Sequence, residues 1–165
     1  MFTSLDAKLV EQVSFLKGYD KLLALKEAGR LYIGGTPLRI MRVSSDSTEI
    51  NRSARMLDKH YDVFIQRRSD GHMVIWYNKT KFNMGSVAGR LRMGDRNIRH
   101  LQRLSWDRLT AEGTLPEAPW WYYNPANGQI MNGSLTNRGT PVTKLDDNAV
   151  IQCVTRGLEA VGRGQ

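Results

Sequence analysis

Two runs of β-forming residues on either side of an Asp-Gly pair constrain the fold of this sequence most strongly. Residues 61–68 read Tyr-Asp-Val-Phe-Ile-Gln-Arg-Arg, residues 73–78 read Met-Val-Ile-Trp-Tyr-Asn, and Ser-Asp-Gly-His separates them. Asp-Gly is favoured in hairpin turns because Gly adopts a positive φ at little cost. The pattern therefore predicts an antiparallel hairpin over residues 61–78.

Helix and strand patterns alternate around this hairpin. Apolar residues at helical spacing predict six helices, over 5–16, 20–28, 47–59, 83–93, 95–112 and from Asp146 or Asp147 to 158. Turn sequences at 34–37 and 124–128 predict two further pairs of strands, over 30–43 and 120–131. Interleaved hairpins and helices favour an α+β fold, with an antiparallel sheet built from hairpins and covered by helices.

The length and the apolar content predict one compact domain. A chain of 165 residues with 41% apolar residues can bury a single core. We expect a helical N-terminal arm over 1–29, a basic core of hairpin and helix over 30–112, and an aromatic hairpin with a C-terminal helix over 113–165.

Several classes of protein are disfavoured by the same sequence. No apolar stretch is long enough to span a membrane, and Met1 to Leu5 lacks the basic start and apolar run of a signal peptide. Cys153 is the single cysteine, and no Cys/His pair has zinc-ligand spacing. We therefore expect a cytoplasmic protein without a membrane partner, a metal site or a cofactor.

Positive charge is concentrated in the middle of the chain. The net charge is +8. Residues 1–29 sum to zero and residues 109–165 to −1, whereas residues 30–108 hold sixteen Lys or Arg against seven Asp or Glu, a net of +9. Thirteen of the sixteen are Arg, whose guanidinium forks onto phosphate oxygens and stacks on bases. This segregation favours a nucleic-acid-binding surface, and a solvated basic surface is the alternative.

The predicted helix from Asp95 separates apolar from basic side chains. Its apolar side holds Ile98, Leu101, Leu104 and Leu109. Its opposite side holds Arg96, Arg99 and Arg103. At about 100° per residue these arginines are expected to face solvent, about one turn apart, and to contact successive phosphates. The alternative is a solvent face that Asp95 and Asp107 partly neutralise.

Further basic and aromatic residues upstream extend this predicted surface. Tyr77 lies near a strand end, where an exposed ring is expected to stack an unpaired base. The predicted nucleic-acid-binding residues are Arg67, Arg68, Tyr77, Lys79, Lys81, Arg90, Arg92, Arg96, Arg99 and Arg103.

Four consecutive aromatic residues, Trp120, Trp121, Tyr122 and Tyr123, precede the second turn. Adjacent residues of a strand point to opposite faces, so about two of the four rings are expected to face away from the core. Trp and Tyr dominate binding hot spots, and the four are the predicted contacts for a protein partner. Packing of these rings beneath the Pro-containing segment 113–119 is the alternative.

Three hypotheses for function follow. The leading one is a non-enzymatic, basic nucleic-acid-binding protein. The second is a small accessory or inhibitor protein, of the kind encoded by phages or mobile elements, that binds an acidic host protein. The third is a small nuclease that uses His60, His72 or His100 as a base, and no motif supports it because these residues fall before a strand, in a turn and on a helix.

Overall fold

The structure is a computed structural model that describes residues 31–34, 39–50, 61–133 and 139–160. Contacts along the chain divide it into two compact units, Met1–Ser69 and Asp70–Gln165. The helical arm expected over 1–29 lies outside the described residues. Of the helix expected over 47–59, residues 48–50 are helical and residues 51–59 lie outside the described part.

The described residues of the first unit form three strands, β1 (Leu31–Gly34), β2 (Ile40–Ser44) and β3 (Val63–Arg67). β1 pairs antiparallel with β2, which confirms the strands expected over 30–43. β2 pairs parallel with β3, with Ile40 opposite Val63. A parallel pair needs a long connection, which residues 45–62 provide. The pairing is therefore mixed, and the expectation of a purely antiparallel sheet was wrong for this pair.

The second unit begins with β4 (Met73–Tyr77), β5 (Phe82–Asn83) and the helices α1 (Gly85–Ile98) and α2 (Trp106–Leu109). It continues with β6 (Gly113–Leu115), β7 (Ala118–Asn124), β8 (Gln129–Asn132), α3 (Asp147–Gly157) and β9 (Glu159–Ala160). Strands β4, β8, β7 and β6 form an antiparallel sheet in that order, and β5 pairs separately with β9. Helices and sheets together confirm the α+β class.

Helix α1 packs on β7, and α3 packs on α1. The two helices run antiparallel, because the end of α3 lies against the start of α1 and the residues before α3 lie against its second half. A Cβ on Gly157 would come within 2.8 Å of the Val87 nitrogen. A Cβ on Gly94 would come within 3.1 Å of a methyl group of Leu145.

The sequence predicted two helices over 83–93 and 95–112, whereas the structure has one continuous helix, α1, over 85–98 and the short helix α2 over 106–109. Helix α1 continues through Gly89 and Gly94. Neither glycine breaks the helix, and both are sites of close packing. A Cβ on Gly89 would lie 2.9 Å from a methyl carbon of Thr110 and 3.0 Å from the Trp106 ring. The Pro-containing segment 113–119 contains β6 and the start of β7.

Helix α1 ends in a Schellman motif, with His100 in the left-handed position at a φ of 56°. The His100 amide donates to the Asn97 carbonyl (3.1 Å), and the Leu101 amide donates to the Arg96 carbonyl (3.1 Å). Gly is the usual residue at this position, so no local sequence signal marks the end of the helix.

Other predictions are confirmed. Both strands of the hairpin expected over 61–78 form, as do the two strands on either side of residues 125–128. Helix α3 begins where expected, and the Asp146 carboxylate accepts a hydrogen bond from the Ala149 amide (2.8 Å). Among the helices of the described residues, none has the length and apolar character needed to cross a membrane.

Replacing His100 with Gly is expected to stabilise the protein by about 0.5–1 kcal/mol, because a Cβ in the left-handed region is strained. Urea denaturation measures the change. Gln152→Gly, at an exposed position inside α3, is the control and is expected to lose about 0.5 kcal/mol. A loss of stability in both variants would contradict the assignment of strain to His100.

Candidate nucleic-acid interface

The predicted orientation of the arginines on α1 was wrong. Arg92 and Asp95 are fully buried, and Arg96 is 9% exposed. Ile98 and Leu101, which were expected in the core, are 44% and 45% exposed. The helix therefore turns its charged residues inward.

Arg92 reaches an irregular part of the sheet, where the register of β6 against β7 shifts between Thr114 and Leu115. Its guanidinium donates to four backbone carbonyls, those of Leu109 (2.7 Å), Ala111 (2.6 Å), Gly113 (2.6 Å) and Trp121 (3.2 Å). Desolvation lowers the pKa of Arg92 to about 10, with a smaller contribution from the charge of Arg108. The side chain therefore stays cationic at neutral pH and is occupied by the backbone.

Asp95 is the acceptor at the centre of this buried region. Its carboxylate accepts hydrogen bonds from the Trp121 indole (2.7 Å), the Thr143 hydroxyl (2.6 Å) and the Lys144 amide (2.9 Å). It also pairs with Arg99. One carboxylate therefore connects α1, β7 and the segment before α3.

Arg96 and Arg99 also bond within the fold. The Arg96 guanidinium donates to the carbonyls of Gln102 and Glu117. Arg99 bonds to Asp95, donates to the Val142 carbonyl (3.2 Å) and places its guanidinium carbon 4.1 Å from the centroid of the Trp120 ring. These contacts contradict the expectation that both arginines face solvent.

The four aromatic residues of β7 obey strand alternation, but only one is exposed. Trp121 and Tyr123 are buried on the side of α1, where the Trp121 indole meets Asp95. Trp120 and Tyr122 point to the other face. Trp120 is 7% exposed and lies against the guanidinium of Arg99, whereas Tyr122 is 37% exposed. The expectation of two outward rings was therefore wrong for Trp120.

Tyr77 is also buried, which contradicts its expected exposure. Its hydroxyl group is hydrogen-bonded to that of Tyr123, and desolvation raises the pKa of Tyr77 above its ordinary value. The ring therefore belongs to the core, where its hydroxyl group meets that of Tyr123 on β7.

The candidate bases of the nuclease hypothesis do not form a described active site. His60 lies outside the described residues. The His72 ring contacts the Thr140 carbonyl (2.7 Å from Nε2) and the Asp70 carboxylate (3.1 Å from Nδ1), so it holds the segment around Thr140. His100 is exposed at the end of α1. In the described part of the chain, no group of three or more His, Cys, Asp or Glu could hold a metal ion.

Carboxylates of the described residues are mostly engaged in internal contacts. Asp46 accepts from Ser69, Asp62 from Arg39, and Glu117 from Arg108. Glu159 accepts from the Ser86 hydroxyl (2.9 Å), while Asp146 caps α3. Little negative charge is therefore left for surface cations.

Six cationic side chains, in contrast, make no hydrogen bond or ion pair within the described residues. They are Arg68, Lys81, Arg90, Arg103, Lys144 and Arg156. Four of them were predicted as nucleic-acid-binding residues, whereas Lys144 and Arg156 were missed because they lie in the neutral C-terminal third. Of the other predicted residues, Arg67 is half-buried at the end of β3, and the exposed Lys79 donates to the Ala126 carbonyl.

Comparisons with protein-family models, with curated proteins and with solved structures found no match for this chain.

Arg92→Gln is expected to destabilise the protein by about 3 kcal/mol or more, because several buried carbonyls lose their donor. Arg103→Gln makes the same change of charge at an exposed position and is expected to stay within about 0.5 kcal/mol of the wild type. Chemical denaturation of both variants measures the difference. Similar losses in the two would refute the structural role of Arg92.

Single substitutions along β7 test the exposure of its rings. Trp120→Ser and Trp121→Ser are each expected to cost about 3 kcal/mol or more, since both rings are buried. Tyr122→Ser is expected to cost less than about 1 kcal/mol. Thermal melts compare the three, and a Trp120→Ser protein that melts near the wild type would contradict the burial of this ring.

Proposed function

We propose that this protein is a non-enzymatic nucleic-acid-binding protein that contacts phosphates through the cations its fold leaves unpaired. The observation that carries the proposal is the imbalance between the two kinds of charge in the described residues. Carboxylates are mostly held by internal donors, while Arg68, Lys81, Arg90, Arg103, Lys144 and Arg156 have no internal hydrogen bond or ion pair.

Unpaired surface cations favour a polyanionic ligand. A phosphate chain that binds several of them releases condensed counterions, and this release provides sequence-independent affinity. Guanidinium groups bind phosphate oxygens in pairs, and four of the six unpaired cations are Arg. The net charge of +8 adds a long-range attraction for nucleic acid.

An acidic protein is the second candidate partner, and the exposed apolar side chains favour it. Ile98, Leu101, Trp106 and Tyr122 are all exposed in the second unit. Phosphates gain nothing from such groups, whereas protein interfaces use aromatic and aliphatic contacts.

The salt dependence of binding tests the leading proposal. Fluorescence anisotropy with a labelled oligonucleotide should give a logarithm of the association constant that falls linearly with the logarithm of salt concentration. The triple variant Arg68→Gln, Lys81→Gln, Arg103→Gln is expected to reduce the slope by up to about 0.7–0.9 for each phosphate that the variant no longer neutralises. These changes are expected to leave the fold intact because none of the three side chains makes a hydrogen bond or ion pair in the part of the chain that the structure describes.

Asp107→Asn with Glu112→Gln is the matched control, since both carboxylates are exposed and changing them removes no cation. It is expected to keep the slope of the wild type. Absence of oligonucleotide binding at about 50 mM salt, or binding without salt dependence, would overturn the proposal. Tight binding of polyglutamate under conditions where the oligonucleotide does not bind would favour the acidic protein partner.

A further inference from the structure

The crossing of α1 and α3 brings two unpaired arginines close to one thiol. Because the helices run antiparallel and Gly157 lies against Val87, the turn of α1 that follows Val87 faces the turn of α3 that precedes Gly157. Arg90 lies on the first of these turns and Cys153 on the second, and Arg156 follows one turn after Cys153. The positive charges of Arg90 and Arg156 both act on the Cys153 thiol.

No carboxylate of the described residues balances this pair directly. Glu159 is the acidic residue nearest in sequence, and it accepts a hydrogen bond from Ser86, one turn before Arg90 on α1. Asp95 also acts on Cys153, but it is fully buried and already holds several donors. The Arg90 Nε is shielded from solvent and has no hydrogen-bond partner in this part of the chain.

Neither arginine has an anionic partner within the described residues. A bound anion satisfies the free N–H groups of both side chains. The β5–β9 pairing adds a third cation at this end of the helices, because Lys81 precedes Phe82, which lies opposite Ala160. The surface therefore offers a cluster of cations, two of which carry planar groups suited to a tetrahedral oxyanion.

We infer that Arg90 and Arg156 together bind one phosphate group of the nucleic-acid backbone at the crossing of α1 and α3. This inference rests on the proposed function and assigns it a specific contact. The two guanidinium groups donate hydrogen bonds to the phosphate oxygens. The ammonium group of Lys81 attracts a neighbouring phosphate.

Cys153 supplies a built-in reporter for this site, because it is the single cysteine of the chain. Desolvation raises the pKa of the Cys153 thiol to about 11, and the charges of Arg90 and Arg156 oppose that rise. A phosphate that neutralises the arginines raises the thiol pKa further and lowers the fraction of reactive thiolate. Bound nucleic acid should therefore slow the alkylation of Cys153 by iodoacetamide.

The experiment compares two double variants with the same change of charge. Arg90→Gln with Arg156→Gln removes the proposed contact, and Arg103→Gln with Lys144→Gln removes two unpaired cations elsewhere in the second unit. The first is expected to reduce the salt slope of oligonucleotide binding by about 0.7–0.9, the value for one phosphate. It is also expected to abolish the protection of Cys153. The second is expected to keep that protection.

Arg90→Lys with Arg156→Lys is a second test in case the Gln double variant does not fold. It keeps the charge and the aliphatic part of both side chains. This variant is expected to keep the salt slope and to bind with lower affinity, because an ammonium group cannot fork onto the phosphate.

Equal Cys153 protection in both Gln double variants, or none in the wild type with oligonucleotide bound, would overturn the site and leave the proposed function standing. A wild-type protein that binds no oligonucleotide would overturn the proposed function itself. Slowing of alkylation by inorganic pyrophosphate, but not by oligonucleotide, would overturn the assignment to nucleic acid.

Discussion

The buried Asp95 carboxylate is the interaction on which the second unit depends. It joins residues that are far apart in the sequence, since its donors come from β7, from the end of α1 and from the segment before α3. An ionised carboxylate in the core is costly unless its lone pairs are filled, and here side-chain and backbone donors fill them. The arrangement favours one packing of the three elements, because any other would leave the charge unpaired.

Two populations of arginine follow from this organisation. Arg92, Arg96 and Arg99 serve as donors to carbonyls and to Asp95, and they fix the irregular chain between α1 and β7. Arg90, Arg103 and Arg156 make no hydrogen bond or ion pair within the described residues. The net charge of the chain therefore overstates the number of cations that are available to a ligand.

The sequence predicted most of the regular strands and helices. It did not predict the places where a side chain, and not another backbone group, donates the hydrogen bond to a backbone carbonyl. Strands β3, β4, β7 and β8 and helix α3 follow from local patterns, as does the α+β class. The orientation of α1 does not, because a helical wheel assumes that charged residues face water. Arg92 faces inward and donates to carbonyls at the end of α2, in the chain that leads into β6 and in β7, and these partners are all distant from Arg92 in sequence.

The end of α1 was also not predicted from the sequence. The sequence pattern continues across His100, and the left-handed conformation there carries no glycine to mark it. For the candidate site, charge alone predicted Arg68, Lys81, Arg90 and Arg103. Only the contacts seen in the structure distinguish these unpaired cations from the buried arginines. Arg156 was missed because it lies in the neutral C-terminal third of the chain.

The guanidinium of Arg92 also links the stability of β6 to that of α1. The carbonyls of Leu109, Ala111 and Gly113 find their donors on α1 and not within their own segment. Residues 109–113 therefore depend on a docked α1 for these hydrogen bonds. We expect the edge strand β6 and α1 to open together, so that hydrogen exchange reports them as one cooperative element.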